Sequence, residues 1–502
     1  MNIILIEADQ LSAKWLGCYG NPAAHTPHLD ALAARGVRFE HCYANLPVCM
    51  PSRASTITGR SAQHTGVFFN GWELSLDLPT FPQALKRGGL QTFGVGKFHL
   101  ECHARGAYND VTKYGFDRAE TTEDIRAGDW LDWVEREHPD CYEQALATVW
   151  DEPHLVRYGP SGRDLNPALR AARQRHPPAA AAPMTYPSVV PERACQTRWV
   201  VDRAIAFLEE RDQSRPFFLK ASFVDPHDPY DPPERFLDRI DPARVPAPLR
   251  PADEALGRIL ARFHVIPYAR LSSSIPPGVW QIIRRHYFAS VAFIDEQIGR
   301  LAAALTGLGL ADDTAIIVTA DHGDMLGDHG LPTKGPWHFD ACMRISLIVA
   351  GPGIRRGAVE QRVVTNLDLF PTITDLATVA HDIPLEGRSL VPLLTGGGSL
   401  DRPDAALVET YGSYQRVGPD VQTRTVVTPH ARLTLFPASA GSRGDEDGML
   451  FDLRSDPDER VNLLGRPAGE PLARELRDLM LTMMARQYRT LSNRNRHPLG
   501  RH

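Results

Sequence analysis

The sequence has no surplus of basic residues, no long apolar run and little cysteine. Of its 502 residues, 43% are hydrophobic and 23% are charged, as in an ordinary globular protein, and the formal net charge is −6. The missing basic surplus argues against a protein that binds nucleic acid. The missing apolar run argues against a protein that spans a membrane, because a helix needs about 20 apolar residues to cross a bilayer.

The seven cysteines are odd in number, and no two of them form a Cys-x-x-Cys pair. This usage predicts a reducing compartment and no disulfide framework. The apolar residues 1–8 run directly into Asp9 without a basic leader, which is typical of a first strand rather than of a secretion signal. We therefore expect a cytoplasmic protein.

Short apolar runs bounded by turn residues alternate with helical patterns along most of the chain. This alternation predicts an α/β fold with a mostly parallel sheet and helices on both faces. The runs typical of buried strands are residues 3–6, 37–43, 90–95, 217–223, 315–319 and 345–349. Helical patterns cover residues 198–210 and 284–305, with Gly307 as the expected C-cap of the second helix.

A glycine-rich stretch at residues 395–399 predicts a domain boundary. The later segments predict a hairpin, a further strand and a helix, at residues 424–428 with 431–436, 450–453 and 471–488. The expected units are a large domain over 1–398, a small α+β domain over 399–485 and a basic tail over 486–502. The tail could clasp a neighbouring subunit in a homo-oligomer.

Two proline-rich stretches, residues 158–191 and 240–277, fit the sheet poorly. They predict long loops, which in a compact enzyme often shape the ligand pocket. A plain surface excursion is an equally good interpretation of each stretch.

Polar side chains follow four of the predicted strands. Because ligands bind outside the carboxyl ends of strands in open α/β sheets, these side chains are expected to share one site. They are Asp9, then Lys97 and His99, then Asp225, His227 and Asp228, and finally Asp321 and His322.

Asp9 and Asp321 are candidate ligands for a hard divalent cation, which prefers carboxylate oxygens. His322 would add a nitrogen ligand and move the preference toward manganese or zinc. Taken alone, each aspartate is more often a turn or helix-capping residue. Lys97 and His99 could hold a tetrahedral anion and move protons.

Cys49 stands before a Pro-Ser-Arg turn that leads into a helix-compatible run, Cys49-Met50-Pro51-Ser52-Arg53. A helix N-terminus and the Arg53 guanidinium both attract anions. The thiol could therefore act as a nucleophile, as the precursor of another group, or only in packing.

Together these residues resemble the signatures of the type I sulfatases of the alkaline phosphatase superfamily. The matching motifs are Cys49-Met50-Pro51-Ser52-Arg53, Gly96-Lys97-Phe98-His99-Leu100, Pro226-His227, Ala320-Asp321-His322-Gly323 and Lys334-Gly335. The resemblance extends from residue 2 to about residue 463. It implies an alkaline phosphatase-like fold, in which helices sandwich a large mixed, mostly parallel sheet and a smaller α+β domain follows. It also implies that residues 1–398 form the catalytic domain.

The resemblance further implies that Cys49 is converted into formylglycine, with a formylglycine-generating enzyme as the partner during maturation. The hydrated aldehyde has two hydroxyls on one carbon. One attacks sulfur and expels the alcohol, and deprotonation of the other releases sulfate and restores the aldehyde. A thiolate would instead form a thiosulfate ester with no easy exit.

The resemblance assigns roles to the remaining residues. Asp9, Asp321, His322 and the modified Cys49 bind one divalent cation, which lowers the pKa of the attacking hydroxyl. The implied catalytic set is Arg53 to orient the diol, Lys97 and Lys334 to neutralise sulfate oxygens, His99 to trigger sulfate release and His227, with Lys334, to protonate the leaving oxygen.

The chain departs from the family pattern at the first metal position. Many of these sulfatases have two adjacent aspartates there, whereas this chain has Ala8-Asp9-Gln10. Gln10 could supply the missing ligand, and Ca²⁺ is the expected ion, with Mn²⁺ as the alternative. The Asp-Gln form resembles the branch that contains choline sulfatases and phosphonate monoester hydrolases.

Three other functions stay open at this point. A phosphonate monoester or phosphodiester hydrolase of the same superfamily would have Tyr and Thr where this chain has Lys97 and His99. An inactive binding protein would be expected to have lost the catalytic set. A thiol enzyme using unmodified Cys49 would leave the metal cluster unexplained.

The expected substrate is small: a sulfated sugar, a choline-like ester, or an aryl or alkyl sulfate, rather than a polysaccharide. Tryptophan side chains could line its pocket, although each is more often part of a core. The candidates are Trp72, Trp130, Trp133 and Trp337.

Overall fold

The fold is described from a computed structural model of the chain. The structure describes residues 1–102, 107–150, 155, 157–159, 161–263, 266–411, 422–436 and 448–492. The second half of the segment predicted as a basic tail, residues 493–502, lies outside these described residues.

Fourteen strands are present in the described part of the chain. They are β1 (Asn2–Ala8), β2 (Val37–Phe39), β3 (Cys42–Tyr43), β4 (Gln91–Gly96), β5 (Arg118–Thr121), β6 (Phe217–Phe223), β7 (Thr314–Ala320), β8 (Leu347–Ala350), β9 (Ala358–Glu360), β10 (Val364–Thr365), β11 (Ala406–Thr410), β12 (Thr423–Val427), β13 (Ala431–Leu435) and β14 (Gly448–Asp452).

The α-helices of the same residues number fifteen. They are α1 (Pro27–Arg35), α2 (Cys49–Thr58), α3 (Ala62–Thr65), α4 (Phe81–Arg87), α5 (Asp129–Glu137), α6 (Tyr142–Thr148), α7 (Asn166–Arg175), α8 (Gln196–Glu210), α9 (Glu254–Phe263), α10 (Pro267–Ser273), α11 (Pro277–Gly307), α12 (Asp340–Met343), α13 (Leu369–Leu376), α14 (Val391–Thr395) and α15 (Glu470–Ser492).

The large sheet has eight strands in the order β5-β4-β6-β1-β7-β8-β2-β9. All neighbouring pairs are parallel except those of β8, which runs antiparallel to both β7 and β2. The predicted large mixed, mostly parallel sheet is confirmed. The run 37–43 forms two strands rather than one, because the chain leaves the large sheet after Phe39 and β3 pairs with β10.

Helices cover both faces of this sheet. On β6, Phe217 contacts Phe207 of α8, whereas its neighbour Phe218 contacts Phe81 of α4. Successive side chains of a strand point to opposite faces, so α8 and α4 lie on opposite sides of the sheet. This layering buries β1 and β6 on both faces, and most of their residues are apolar. The buried Lys220 at the centre of β6 is paired with Glu7 of β1 at 2.7 Å.

Two predictions about the ends and insertions were wrong. The helix predicted at 284–305 begins earlier, at Pro277, and includes Gly307, so Leu308 is its C-cap. The two proline-rich stretches contain helices α7, α9 and α10 rather than loops alone. In α9 the buried residues Leu256, Leu260 and Phe263 follow helical spacing, which the flanking prolines hide in the sequence.

The C-terminal segment forms a separate antiparallel sheet in the order β11-β12-β13-β14. The predicted hairpin is β12 with β13, and α15 packs on this sheet through Ala473, Leu476 and Met480. Because α15 continues to Ser492, the first residues of the predicted tail are helical. Among the described residues, no helix has the length and apolar character needed to cross a membrane.

Candidate active site

The candidate site lies at the carboxyl edge of the four central strands of the large sheet. Asp9, Lys97 and Asp321 are the residues that directly follow β1, β4 and β7, and His227 lies four residues beyond β6. Cys49 is the first residue of α2. Four of these five residues are among those that the sequence predicted at the strand ends, and all five are buried.

Four of the predicted metal ligands converge. Ligand atoms of Asp9, Cys49, Asp321 and His322 all lie within 4.8 Å of one another. The Cys49 Sγ is 3.2 Å from the His322 Nε2 and 3.9 Å from an Asp9 carboxylate oxygen. Two carboxylates and one imidazole nitrogen around a buried point fit a divalent cation.

The protonation of the cluster suits a ligand set. Burial acts to raise the pKa of Asp9, but Lys97 and more distant cations outweigh it and hold that pKa well below its usual range. Burial also lowers the pKa of His322, so its ring is neutral. Its Nδ1 lies 2.9 Å from the Gly323 carbonyl, which assigns the proton to Nδ1 and leaves the Nε2 lone pair toward Cys49.

The pKa of Asp321 is shifted in the opposite direction to that of Asp9. Burial and the neighbouring Asp9 charge raise its pKa to about 7, although Arg53 opposes this. Two anionic carboxylates so close together are unfavourable unless a cation lies between or beside them. A cation bound beside the two carboxylates would therefore offset their repulsion and lower the pKa of Asp321.

Arg53 joins the acidic residues beneath the cluster. Its Nε donates to Asp321 at 2.8 Å, and its Nη2 donates to Asp9 at 3.2 Å. Its Nη1 donates to Glu7 at 3.1 Å and also to the Lys97 carbonyl and the Ser222 hydroxyl. The guanidinium thus fixes both carboxylates of the cluster. Its role in orienting the diol stays a prediction.

Lys97 and His99 meet at a carboxylate that the sequence analysis missed. The Lys97 ammonium is paired with both Asp9 and Asp124, and the His99 Nδ1 is 3.8 Å from Asp124. The neighbouring Glu123 accepts hydrogen bonds from the backbone N–H groups of Phe98 and His99 at 3.1 and 3.0 Å. Asp124 and Glu123 therefore position the loop that follows β4.

Lys334 and His227 form a second buried pair. The Lys334 Nζ lies 2.6 Å from the His227 Nε2, and the His227 Nδ1 lies 2.7 Å from the Asp228 carbonyl. The proton on Nδ1 faces that carbonyl, so the lysine donates to Nε2. This pair can pass a proton to a substrate oxygen placed beside it.

The side-chain amide of Gln10 forms hydrogen bonds with three other residues. Its Oε1 accepts from Lys334 at 2.9 Å, and its Nε2 donates to Asp324 at 2.7 Å and to Asp228 at 3.3 Å. The structure therefore connects Gln10 to the Lys334 side of the site. Its assignment as a metal ligand stays a prediction.

The predicted tryptophans have different environments. Trp130 and Trp337 are fully buried in the core, and Trp133 packs partly buried against it. Trp72 is exposed and packs its ring against Phe68 and Phe69. Trp280, which the sequence analysis did not single out, lines a cavity together with Thr333, the residue before Lys334.

Comparison with known proteins gives the family. The Sulfatase family model matches residues 1–379, well over half of the chain. The chain belongs to the sulfatase family. A second model, the C-terminal part of N-sulphoglucosamine sulphohydrolase, matches residues 327–486 of this sulfatase.

Individual relatives extend the match to nearly the whole chain. The sulfatase is 29% identical to the arylsulfatase of Clostridium perfringens over 485 residues, which cover 92% of this chain and 90% of the relative. It is 30% identical to the choline-sulfatase of Rhizobium meliloti over 478 residues, covering 93% and 83%. The phosphonate monoester hydrolase of Agrobacterium radiobacter superimposes with a TM-score of 0.77 at 26% identity, covering 97% of this chain and 96% of that one.

These matches confirm the expected fold and superfamily, and they make the chain a sulfuric ester hydrolase. The family also implies a metal ion and a formylglycine, and the cluster of Asp9, Cys49, Asp321 and His322 is a fitting place for both.

Proposed function

We propose that the enzyme hydrolyses a small sulfate monoester with a formylglycine made from Cys49 and one bound divalent cation. The observation that carries the proposal is the position of Cys49. Its Sγ lies at the helix N-terminus and 3.2 Å from the His322 Nε2, within a cluster that also contains Asp9 and Asp321. The Sγ stands in for an oxygen of the hydrated aldehyde.

The unmodified thiol is poorly suited to the reaction. Burial and the Asp9 charge raise the pKa of Cys49 to about 12, so the thiol is protonated at neutral pH. The thiolate is the nucleophilic form of cysteine. This argues against a thiol enzyme and favours a modified residue whose hydroxyls need no thiolate.

The cluster offers mostly oxygen ligands, which favour calcium. A cation bound by Asp9, Asp321, His322 and the modified residue would polarise a sulfate oxygen and lower the pKa of the attacking hydroxyl. The nitrogen of His322 keeps Mn²⁺ as the alternative. Metal analysis of the purified enzyme should find about one Ca²⁺ per chain, and stoichiometric manganese or zinc with no calcium would contradict this assignment.

The remaining residues act on the substrate and its protons. The hydrated aldehyde supplies one hydroxyl for attack on sulfur and a second whose deprotonation allows sulfate to leave. Lys97 and Lys334 neutralise the sulfate oxygens, and both side chains are wholly buried, where their charges act strongly. His227 with Lys334 protonates the departing alcohol, and His99 takes the proton that triggers sulfate release.

Phosphonate monoester hydrolysis is the competing activity, because a phosphonate monoester hydrolase shares this fold at 26% identity. The motif that carries Lys97 and His99 favours sulfate, since two cationic or protonatable groups suit a sulfate leaving step. The two reactions move charge onto similar oxygens, so a weak phosphonate side activity is compatible with the proposal.

The cellular setting is also part of the proposal. All seven cysteines are free, which fits a reducing compartment such as the cytoplasm. The enzyme would then meet a formylglycine-generating enzyme during maturation and a small sulfate ester as its substrate. Neither a nucleic acid nor a membrane is expected as a partner.

The decisive experiment combines mass analysis with an ester screen. The proteolytic peptide containing Cys49 should have the mass of formylglycine in active enzyme, and 4-nitrophenyl sulfate should be hydrolysed faster than the matching phenylphosphonate ester. Active enzyme with an unmodified thiol would overturn the mechanism, whereas a large preference for the phosphonate would overturn the substrate class.

A further inference from the structure

A cavity of about 420 Å³ takes part of its wall from the chain segments that carry Lys334 and His227. Its wall includes Pro332 and Thr333, which directly precede Lys334, and Tyr230, which lies three residues after His227. The volume is in the range of small-molecule pockets. The cavity is therefore a candidate for binding the alcohol portion of a sulfate ester.

Hydrogen bonds tie this wall to the charged site. The Tyr230 hydroxyl donates to Asp324 at 2.7 Å, and the same carboxylate oxygen accepts from the Gln10 Nε2 at 2.7 Å. Gln10 in turn accepts from the Lys334 Nζ at 2.9 Å. The cavity and the sulfate-binding lysine are thus held in one buried network.

The two insertions that the sequence left without a function supply the outer wall. Pro183 and Met184 come from the first insertion, and Tyr268, Leu271 and Ser272 come from the second. The two insertions touch each other through the Tyr268 hydroxyl, 3.8 Å from the Met184 Sδ. The first insertion is also fixed to the site, because the Tyr230 N–H donates to the Met184 carbonyl.

None of the twelve lining residues, all of them described, has a charged side chain. The rim is apolar as well, because Met184 and Leu271 are 41% and 65% exposed at the entrance. An uncharged, carbon-lined pocket gains free energy by burying apolar surface but offers no partner for a carboxylate or a second sulfate.

Two polar atoms in this wall have no partner among the described residues. They are the Trp280 Nε1 and the Ser272 Oγ, in side chains that are only 4% and 3% exposed. Both atoms are enclosed by protein, so neither is accessible to a bound alcohol. The uncharged lining is therefore the property that decides what the cavity can bind.

We propose that this cavity binds the leaving alcohol and that the preferred substrates are sulfate esters of apolar aryl or alkyl alcohols. The inference rests on the proposed function, since it assigns the alcohol side of that same site. It excludes multiply sulfated or carboxylated sugars as preferred substrates.

A series of primary alkyl sulfates tests the proposal, because their leaving groups have nearly constant pKa values. From ethyl to hexyl sulfate, kcat/KM should rise by roughly fourfold for each methylene that becomes buried. Addition of a terminal carboxylate to hexyl sulfate should lower kcat/KM, because the lining offers no cation to pair with it. A flat series, or a preference for glucose 6-sulfate or choline sulfate, would overturn the proposal.

A matched pair of variants locates the effect. Leu271→Ser should lower the ratio of kcat/KM for hexyl over ethyl sulfate by about threefold to tenfold. Leu481 is equally exposed at 65% but lies on α15, so Leu481→Ser should leave the ratio unchanged. Equal effects of both variants would contradict the assigned cavity.

Failure of the inference and of the proposed function are distinguishable. If only the inference fails, the enzyme still releases sulfate but prefers other esters. If the proposed function fails, the enzyme releases sulfate from none of the esters.

Discussion

The two sides of the active site are built in opposite ways. The sulfate side consists of buried charges at the ends of β1, β4 and β7, tied together by Arg53. The alcohol side is an uncharged cavity whose outer wall comes from two insertions into the sheet. The first side has many ionic partners at fixed distances, whereas the second has few polar contacts and an exposed apolar rim.

This difference separates chemistry from specificity. Groups fixed by the central strands act on sulfur and its oxygens, which every sulfate ester shares, so changes there should affect all esters by one factor. Groups in the insertions contact only the alcohol, so changes there should alter the ratio between esters. The predictions below test this division, beginning with the largest effect.

Replacement of Cys49 should have the largest effect. Cys49→Ala removes the precursor of the nucleophile, and we expect kcat to fall by at least roughly 10⁴-fold for every ester. The fold should persist, because alanine leaves the contacts of α2 in place. Residual sulfate release within about tenfold of the parent enzyme would contradict the covalent role, with Tm confirming that the variant is folded.

Lys97→Ala should have the second-largest effect. We expect kcat to fall by roughly 10²- to 10³-fold, with a smaller change in KM. The charge acts as negative charge develops on the sulfate oxygens, so the loss should be the same for ethyl and hexyl sulfate. His99→Ala should behave alike because it acts on sulfate release.

The matched control for Lys97 is Lys86, which is 51% exposed and paired with Asp117 at 2.8 Å. Lys86→Ala should leave kcat unchanged, since an exposed ion pair contributes little. A rise in KM without a loss of kcat in Lys97→Ala would show that the lysine only binds the ground state.

Asp124→Asn should reduce kcat by roughly tenfold, the usual cost of losing a residue that positions another. Asp124 pairs with Lys97 and approaches His99, and the Lys97 charge holds the pKa of Asp124 well below its usual range despite burial. KM should change little. Asp124→Glu should recover part of the loss if the carboxylate charge, rather than the side-chain shape, is what Lys97 needs.

The control for Asp124 is Asp140, whose side chain is 65% exposed and paired with Arg193. Asp140→Asn should alter neither kcat nor KM. Loss of thermal stability without loss of kcat in Asp124→Asn would assign Asp124 a purely structural role.

Asp124 also shows why the sequence revealed only part of the site. Motifs after the long apolar strands were predicted because β1, β4, β6 and β7 are visible as hydrophobic runs. The strand before Asp124 is β5, which has the sequence Arg-Ala-Glu-Thr and lies at the sheet edge. Because it contains no apolar run, the hydrophobic pattern does not predict it. A carboxylate that follows such a strand therefore cannot be predicted as a strand-end residue from hydrophobic runs.

The cavity was hidden for a different reason. Its lining comes from segments far apart in the chain, and its aromatic residues Tyr230, Tyr268 and Trp280 belong to no shared spacing. The prolines around α9 and α10 predicted loops, although α10 carries part of the wall. Only tertiary packing brings these residues together, so composition could indicate a pocket but not its apolar character.

Tyr230 belongs to both sides of the site and gives the smallest and sharpest test. Its ring lines the cavity, while its hydroxyl donates to Asp324 on the network of Gln10 and Lys334. Tyr230→Phe keeps the ring and removes only the hydrogen bond to a buried carboxylate. The free energy of unfolding should fall by about 2 kcal/mol.

The effect of Tyr230→Phe on activity should be a fall in kcat of only about threefold, equal for ethyl and hexyl sulfate, since the altered contact supports Lys334 rather than the alcohol. Tyr19→Phe is the control, because the Tyr19 hydroxyl donates to the Phe39 carbonyl at 3.0 Å, away from the site. It should cost stability without changing kcat. If Tyr230→Phe instead changes the ratio between the two esters, its hydroxyl contacts the alcohol, and the boundary between the two sides runs through Tyr230 itself.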